Sequence, residues 1–194
     1  MQWVIGIDEA GRGPLAGPVA VCAVRVPSGF NWDLIPGVGD SKKVSPKNRE
    51  AIFRRAQQLH QDGHLQYAVA LISARVIDAQ GIRVAITRGI TKCLKQIEAH
   101  HETVYIKLDG SLKAPPEFLY QRTIVKGDAT EQEIGLASIM AKVTRDRHMV
   151  RLAATYPHYG FEVHKGYGTL AHRQNIKKHG LSAIHRATFC RGCR

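Results

Sequence analysis

The sequence predicts an α/β fold in which helices flank a mixed sheet. Two stretches near the N-terminus, 3–7 and 19–26, have the apolar character of neighbouring strands. After them, segments with helical periodicity alternate with further short strands. The chain has 194 residues, of which 44% are apolar, and this is the size and composition of one well-packed domain. We therefore expect a single domain over 1–194, in which residues from about 156 to 194 form a helical, loop-rich C-terminal extension.

Five stretches have the length, the composition and the bounding turn residues of strands. These stretches are 3–7, 19–26, 64–72, 103–108 and 122–126. The first two are separated by a loop that contains glycines and prolines, and we expect them to pair across it. The first, fourth and fifth strands are each followed closely by acidic residues, which is the first indication of a functional site.

Capping residues and apolar periodicity predict the helices. The predicted helices are 46–63, 73–79, 82–97, 130–154 and 169–180. The first begins with Pro46 after Ser45, a favourable N-cap followed by the residue type preferred at the first helical position. The sequence Thr-Glu-Gln-Glu at 130–133 matches a capping box, which predicts the start of the long fourth helix. Gly180 ends the last helix.

Acidic residues recur where the predicted strands end. Asp8 and Glu9 follow the first strand, Asp109 follows the fourth, and Asp128 lies just beyond the fifth. The carboxyl ends of strands in an open α/β sheet often line one crevice, so we expect these acids to meet in space. Successive strand residues point to opposite faces of a sheet. Asp8 and Glu9 can therefore converge only if the strand ends or bends at them, which the glycines that follow permit.

A cluster of carboxylates is repulsive unless a cation neutralises it, so the sequence predicts a divalent metal site. Oxygen ligands suit Mg²⁺, which binds few protein carboxylates together with water and substrate phosphate. Two such ions roughly 3.5–4 Å apart would activate a water and stabilise a leaving oxygen. Taken singly, Asp109 also fits a turn and Asp128 a helix N-terminus. Taken together with Asp8 and Glu9, they favour the cluster.

The charge balance indicates a polyanionic partner. Lys and Arg number 28 against 16 acids, which gives a net charge of +12. Because the excess is spread along the chain, it favours a folded surface that binds nucleic acid. The candidates for phosphate contacts, each of which also fits a solvated surface, are Lys42, Lys43, Lys126, Lys142, Arg145 and Lys165.

Two further expectations concern the setting of the protein. No apolar run is long enough to span a bilayer, and the N-terminus lacks a secretory signal pattern, so we expect a cytoplasmic protein with no membrane partner. A monomer is expected because no additional interaction element is visible in the sequence.

The C-terminal cysteines allow two interpretations. Cys190 and Cys193 form a C-x-x-C pattern, but the chain contains no second cysteine pair at a matching spacing. We therefore expect an exposed thiol pair without a function. A zinc site completed by His179 or His185 is the alternative.

Seven short blocks carry a recognisable pattern. They are DEAGRGPLAGP at 8–18, DSKK at 40–43, LDG at 108–110, VKGD at 125–128, ASIMAKVTRDR at 137–147, HKGY at 164–167 and HR at 185–186. With these blocks in this order over nearly the whole chain, the sequence resembles bacterial ribonuclease HII. The resemblance implies a ribonuclease H-like fold with a central five-stranded mixed sheet flanked by helices. It also implies a metal-dependent endonuclease that acts on RNA–DNA hybrids and on single ribonucleotides embedded in duplex DNA.

The resemblance also assigns the metal-binding acids. By position they are Asp8, Glu9, Asp109 and Asp128, and the metal is Mg²⁺ or Mn²⁺, with two ions present during catalysis. In such enzymes the cut falls on the 5′ side of the ribonucleotide and leaves 3′-hydroxyl and 5′-phosphate ends. The resemblance further implies a role in removing ribonucleotides and RNA primers.

Substrate contacts follow from the resemblance as well. The backbone of Gly11, Arg12 and Gly13 would read the ribose 2′-hydroxyl. Tyr167 would lie against the sugar at the RNA–DNA junction, and Lys42 would contact a phosphate. These roles agree with the chemistry, because the 2′-hydroxyl distinguishes RNA from DNA at a single site and glycines let backbone approach a sugar closely.

Two alternative functions stay open at this stage. One is a nuclease or recombinase of the same fold class that does not read ribose, and it predicts equal cutting of an all-DNA duplex. The other is a basic hybrid-binding protein without catalysis, and it predicts that Asp109→Asn leaves function unchanged.

Overall fold

A five-stranded mixed sheet forms the centre of the molecule, whose structure is a computed structural model that describes residues 1–39 and 44–193. The strands are β1 (Trp3–Ala10), β2 (Val19–Pro27), β3 (Gln66–Ile72), β4 (Val104–Asp109) and β5 (Gln121–Ile124), in the spatial order β3-β2-β1-β4-β5. β1 pairs antiparallel with β2 and parallel with β4. β3 is antiparallel to β2, and β5 is parallel to β4. The predicted α/β fold with a five-stranded mixed sheet is confirmed.

Helices cover both faces of this sheet. They are α1 (Pro46–Gln61), α2 (Ala74–Gln80), α3 (Ile82–Gln96), α4 (Gly127–Thr130), α5 (Gln132–Thr155), α6 (Phe161–His164) and α7 (Leu170–His179), and a 3₁₀ turn covers Trp32–Leu34. Ser45 caps α1 as expected, since its side chain accepts a hydrogen bond from the Asn48 N–H. Among residues 1–39 and 44–193, no helix is both long and apolar enough to cross a membrane.

Alternate residues of β1 pack into two separate apolar cores. Ile5 and Ile7 belong to the core that α2 and α3 cover. Val4 and Ala10 contact the core that α1 and α5 cover. Residues 19–24 of β2 are completely buried between the same two layers. Burial on both faces explains why these strands are apolar runs rather than alternating patterns.

β1 is longer than expected, because it continues through Asp8 and Glu9 to Ala10. Its pairing with β2 extends to Ala10 and Ala20, whereas its pairing with β4 stops at Ile7 and Leu108. The strand therefore does not end at the two acids. The antiparallel neighbour holds β1 in extended form past the end of the parallel neighbour.

The start of α5 also differs from the sequence prediction. Thr130 is the last residue of α4, and the N-cap of α5 is Glu131, which makes no side-chain cap hydrogen bond. Lys107 Nζ instead binds the carboxylates of Glu131 and Glu133 at 2.7 and 3.2 Å. The predicted capping box is wrong because Thr130 ends α4, and Glu133, the acid that would have completed the box, binds a lysine from β4.

The C-terminal cysteines are buried rather than exposed. Cys190 and Cys193 have exposures of 0% and 2%, so the expectation of an exposed thiol pair is wrong. The Cys190 sulfur lies 3.6 Å from the carbonyl oxygen of Leu15, and Arg173 Nη1 lies 3.3 Å from the Cys193 sulfur. The tail is buried because it packs against the loop between β1 and β2, which is distant in sequence.

A buried histidine pair ties α7 to the segment that follows it. His172 Nδ1 lies 2.9 Å from the Tyr167 carbonyl oxygen, and the Ser182 N–H donates to His185 Nδ1 at 2.9 Å. These partners require that His185 Nε2 donates to His172 Nε2, 3.0 Å away. Burial lowers the pKa of both rings to about 4. His185, one of the two candidate zinc ligands, is thus bonded to Ser182 and His172 and not to the cysteines. His179, the other candidate, stacks on another histidine.

Stability is expected to fall as pH drops from about 6.5 towards 4. His172 and His185 have pKa values of about 4 in the native protein, whereas the ordinary value, which applies in the unfolded chain, is 6.5. Between pH 6.5 and 4 the unfolded chain therefore binds more protons than the native protein, and acidification favours unfolding. Urea unfolding of His172→Gln should give a lower stability than wild type at neutral pH and a weaker loss on acidification. The control is His101→Gln at an exposed position, which should keep the wild-type pH dependence. An undiminished pH dependence in His172→Gln would contradict the assignment.

The contact between α5 and β1 requires the absence of a side chain at Gly6. A Cβ added there would lie 2.1 Å from the carbonyl carbon of Glu133, which is backbone and cannot move aside alone. We expect Gly6→Ala to destabilise the protein by about 3 kcal/mol or more, as overpacking against backbone does. Gly192→Ala meets open space and should leave the midpoint of thermal unfolding unchanged. Equal midpoints for the two variants would show that α5 does not press on β1.

Candidate active site

One cavity of about 480 Å³ collects the residues that the sequence singles out. Its lining comes from the end of β1, the loop after it, the end of β4, α4, α5 and the loop after α6. The lining residues are Asp8, Glu9, Ala10, Gly11, Arg12, Gly13, Asp109, Asp128, Ser138, Lys142 and Tyr167. Every predicted metal-binding acid, the three residues of the loop at 11–13 and Tyr167 are among them, whereas the candidate phosphate contacts Lys126, Arg145 and Lys165 are not. Lys42, the expected phosphate contact, lies outside the described residues.

The register of two parallel strands brings the first acids together. Ile7 and Leu108 are the last residues that pair between β1 and β4. The next residue on each strand is an acid, Asp8 on one and Asp109 on the other. Because parallel strands end at the same edge of a sheet, these carboxylates reach the same cavity although about a hundred residues separate them. Glu9 joins them from the part of β1 that projects beyond β4.

Asp128 does not follow directly on a strand, as expected, but lies in the short helix α4. β5 ends at Ile124, and Lys126 adopts a left-handed conformation with φ of 56° before the short helix α4 begins. The Asp109 carboxylate accepts hydrogen bonds from the N–H groups of Gly127 and Asp128, at 2.8 and 3.4 Å. Asp109 thus holds the first turn of α4, and this turn carries Asp128 to the site.

Burial and mutual repulsion perturb the acids on β1. Burial, with repulsion from Glu9 and Asp109, raises the pKa of Asp8 to about 8, although a hydrogen bond with Ser138 on α5 opposes the shift. Burial also raises the pKa of Glu9, and Arg12 opposes this from 3.4 Å. The carboxylates therefore lie close enough to repel one another, and the protein does not supply enough positive charge to neutralise them. A divalent cation would relieve this repulsion.

The donor set fits a hard divalent cation, although the ligands are not gathered in advance. All four acids offer carboxylate oxygens, the ligand type of Mg²⁺ and Mn²⁺. Within the described ranges, no three His, Cys, Asp or Glu side chains form a ready group of ligands. Mg²⁺ binds one or two protein carboxylates together with water and substrate phosphate.

The loop at 11–13 closes one side of the cavity, and glycine is required at its first position. Gly11 has φ of +88°, and a Cβ there would lie 2.0 Å from Arg145 Nε. Gly13 has no neighbour within 4 Å of the place where its Cβ would be. The backbone near Gly13 is thus open towards the cavity. Arg12 itself is about half exposed.

Three residues have structural roles at the site that the sequence did not predict. Ser138 binds Asp8, and its only signal was its place in the block at 137–147. Arg145, expected as a phosphate contact, is completely buried and donates to the carbonyl oxygens of Pro18, Ala16 and Lys165. Arg186 is also completely buried and binds the loop at 11–13. Arginines look like surface residues in a sequence, and only the folded chain shows which carbonyls they bind.

Tyr167 presents an aromatic ring at the rim of the cavity. The side chain is 41% exposed, and the ring lies 5.6 Å from Lys142 Nζ and 5.7 Å from Arg145 Cζ. Its backbone is fixed on both sides, because its N–H binds the His164 carbonyl oxygen and its own carbonyl accepts from His172. The backbone that carries the ring is therefore held in place beside the cavity.

Comparison with known proteins gives a consistent result. The family model described as Ribonuclease HII matches residues 5–192. Ribonuclease HII of Ruminiclostridium cellulolyticum is 42% identical over 192 residues, covering 97% of this chain and 70% of the relative. The crystal structure of ribonuclease H2 from Pyrococcus horikoshii OT3 has a TM-score of 0.73 and 25% identity, covering 98% of this chain and 96% of that one. The structure of Bst-RNase HIII in complex with Mn²⁺ has a TM-score of 0.67 and 18% identity, covering 96% and 66%.

The sequence match and the fold therefore agree over nearly the whole chain. The Mn²⁺ complex of Bst-RNase HIII shares the fold, and the other three comparisons share sequence as well. The chain is a ribonuclease H endonuclease and belongs to the ribonuclease HII family.

Proposed function

We propose that this protein hydrolyses the RNA strand of RNA–DNA hybrids and nicks duplex DNA on the 5′ side of single ribonucleotides. The observation that carries the proposal is the composition of one cavity. The four acids and the glycine loop line it together, so a phosphodiester bound at the acids would have its ribose beside the loop. The family assignment supports ribonuclease H activity on hybrids.

Asp8, Glu9, Asp109 and Asp128 are the residues that would hold the metal, Mg²⁺ or Mn²⁺. Two bound ions would supply an activated water and stabilise the leaving oxygen, so that the products carry 3′-hydroxyl and 5′-phosphate ends. The raised pKa values of Asp8 and Glu9 support a cation at this position, because its charge offsets their burial. The Mn²⁺ complex of Bst-RNase HIII, which has the same fold, supports a divalent ion.

The loop at 11–13 is proposed to recognise the ribose through its backbone. A 2′-hydroxyl oxygen accepts hydrogen bonds, and backbone N–H groups can donate them wherever no side chain blocks the approach. The open surroundings of Gly13 support such an approach. Arg12 would add a positive charge near the sugar-phosphate backbone while it pairs with Glu9.

The exposed ring of Tyr167 is proposed to pack against the sugar of the neighbouring deoxyribonucleotide. A 2′-hydroxyl on that sugar would crowd the ring, which would favour an RNA–DNA junction. Lys142, whose amine is 3.0 Å from Asp146, and Lys42 are proposed phosphate contacts. The net charge of +12 would add a salt-dependent attraction that does not depend on base sequence.

The metal assignment predicts that Asp109→Asn lowers turnover by at least about 100-fold while nucleic-acid binding is kept or improved. An Asn at this position keeps an oxygen for the Gly127 N–H, so α4 should stay in place. Nicking of a ribonucleotide-containing duplex in Mg²⁺ measures turnover, and fluorescence anisotropy of the same duplex measures binding. Asp62→Asn, at an exposed position at the end of α1, is the control with wild-type activity. Undiminished activity in Asp109→Asn would favour a binding protein without catalysis.

The ribose assignment predicts which of two matched duplexes is cut. A labelled DNA duplex with one ribonucleotide should be nicked immediately on its 5′ side in Mg²⁺ and left intact in EDTA. Its all-DNA twin should stay intact in both, because the loop finds no 2′-hydroxyl. Equal cutting of both duplexes would be compatible with the metal site but would overturn the recognition of ribose. It would indicate a nuclease that does not distinguish RNA from DNA.

A further inference from the structure

A buried guanidinium lies directly behind the loop at 11–13. Arg186 Nη2 donates to the carbonyl oxygen of Gly11 at 2.7 Å, and Nη1 donates to that of Arg12 at 2.9 Å. Nε donates to the carbonyl oxygen of Gly17 at 3.0 Å. All three guanidinium nitrogens therefore bind the backbone of the chain between β1 and β2. The planar fork of an arginine suits two adjacent carbonyls in a way that a lysine amine does not.

This guanidinium is held as a cation without a carboxylate partner. Among the described residues Arg186 forms no ion pair, and its side chain is completely buried. Burial, together with the nearby Arg145, lowers the pKa of Arg186 to about 9, so it stays charged at neutral pH. Burying an unpaired charge is unfavourable unless strong hydrogen bonds compensate for it. The carbonyl dipoles of the loop supply that compensation, and in return the loop is fixed.

The position of these carbonyls determines the direction of two donors. No peptide bond in the described chain is cis, and in a trans peptide the C=O and the N–H point in opposite directions. The Gly11 carbonyl points at Arg186, so the N–H of Arg12 in the same peptide points away from it. The Arg12 carbonyl fixes the N–H of Gly13 in the same manner. Among the hydrogen bonds formed within residues 1–39 and 44–193, neither N–H has an acceptor.

We propose that Arg186 is a positioning residue that aims the N–H groups of Arg12 and Gly13 at the substrate ribose. The inference rests on the proposed function and adds the residue that makes the loop specific. Arg186 does not touch the substrate; it acts through two peptide groups. Without it, both peptides are free to rotate, and the loop loses its fixed pair of donors.

The C-terminal segment is therefore part of ribose recognition. The Arg186 N–H donates to the Leu15 carbonyl oxygen at 2.7 Å, and the Gly17 N–H donates to the Ile184 carbonyl oxygen at 2.8 Å. His185 forms a β-bridge with Ala16 between these two bonds. Two chain segments that are about 170 residues apart thus form one rigid unit. The arginine can aim the loop because its own backbone is bonded to it.

Arg145 supports the same loop from another side. It is as deeply buried as Arg186, and its guanidinium also donates three hydrogen bonds to carbonyl oxygens, those of Ala16, Pro18 and Lys165. Its Nε lies 2.0 Å from the place of a Cβ on Gly11, so a change at Arg145 would also disturb the loop. Arg55 is the better control, because its guanidinium donates to the Leu34 carbonyl oxygen and it does not line the cavity.

The experiment measures binding preference in a protein that cannot cut. In an Asp109→Asn background with Mg²⁺, the Kd for an all-DNA duplex is divided by the Kd for its twin with one ribonucleotide. The parent is expected to prefer the ribonucleotide by about tenfold, as two hydrogen bonds allow. Arg186→Lys should reduce this ratio to about one. Arg55→Lys, a change outside the cavity, should keep the ratio.

The outcomes separate this inference from the proposed function. A parent without any preference would overturn the reading of ribose itself. A parent with a preference that a folded Arg186→Lys protein retains would overturn only the role of Arg186. A second measurement needs no change at Arg186: the amide signals of Arg12 and Gly13 in the Asp109→Asn protein should shift with the ribonucleotide duplex and less with the all-DNA twin. Equal shifts with both duplexes would also overturn the proposal.

Discussion

The parallel register of β1 and β4 is the constraint on which the site depends. It sets Asp8 beside Asp109 at one sheet edge, and the pairing with β2 keeps Glu9 in line beyond that edge. Gly6 then lets α5 lie on β1, which brings Ser138 to Asp8. A slip of one residue in this register would turn the acids to the wrong faces. The meeting of these acids therefore rests on ordinary strand pairing at the centre of the sheet.

The site holds unfavourable charges of both signs in separate places. Carboxylates cluster at the sheet edge, where burial raises the pKa of Asp8 and Glu9. Two buried arginines lie behind the neighbouring loop, where burial lowers the pKa of Arg145 and Arg186. Neither group neutralises the other, since the arginines bind carbonyl oxygens instead of the acids. Such an arrangement sacrifices stability, and it leaves the acids available to a cation and the loop in a fixed shape.

Local patterns predicted most of the helices and strands because their causes are local. Ser45, the predicted cap of α1, accepts a bond from the residue three positions on, and the predicted start of the last helix at Thr169 lies at the N-cap of α7. The errors have distant causes. Lys107 binds Glu133, the acid of the predicted capping box, and the loop at Leu15 covers Cys190. No propensity scale includes a partner that folding brings from elsewhere in the chain.

The sequence by itself determined the fold class, the family and the residue types at the site. Apolar runs, caps and the blocks of acids and glycines carry that information within a few positions of one another. Only the tertiary structure decided how the pieces act together. The hydrogen bond between Arg186 and Gly11 joins residues 175 positions apart. The position of Asp128 at the site depends on a helical turn that Asp109 holds through a hydrogen bond. These contacts follow from the packing of whole segments, and packing is a property of the folded chain rather than of any stretch of sequence.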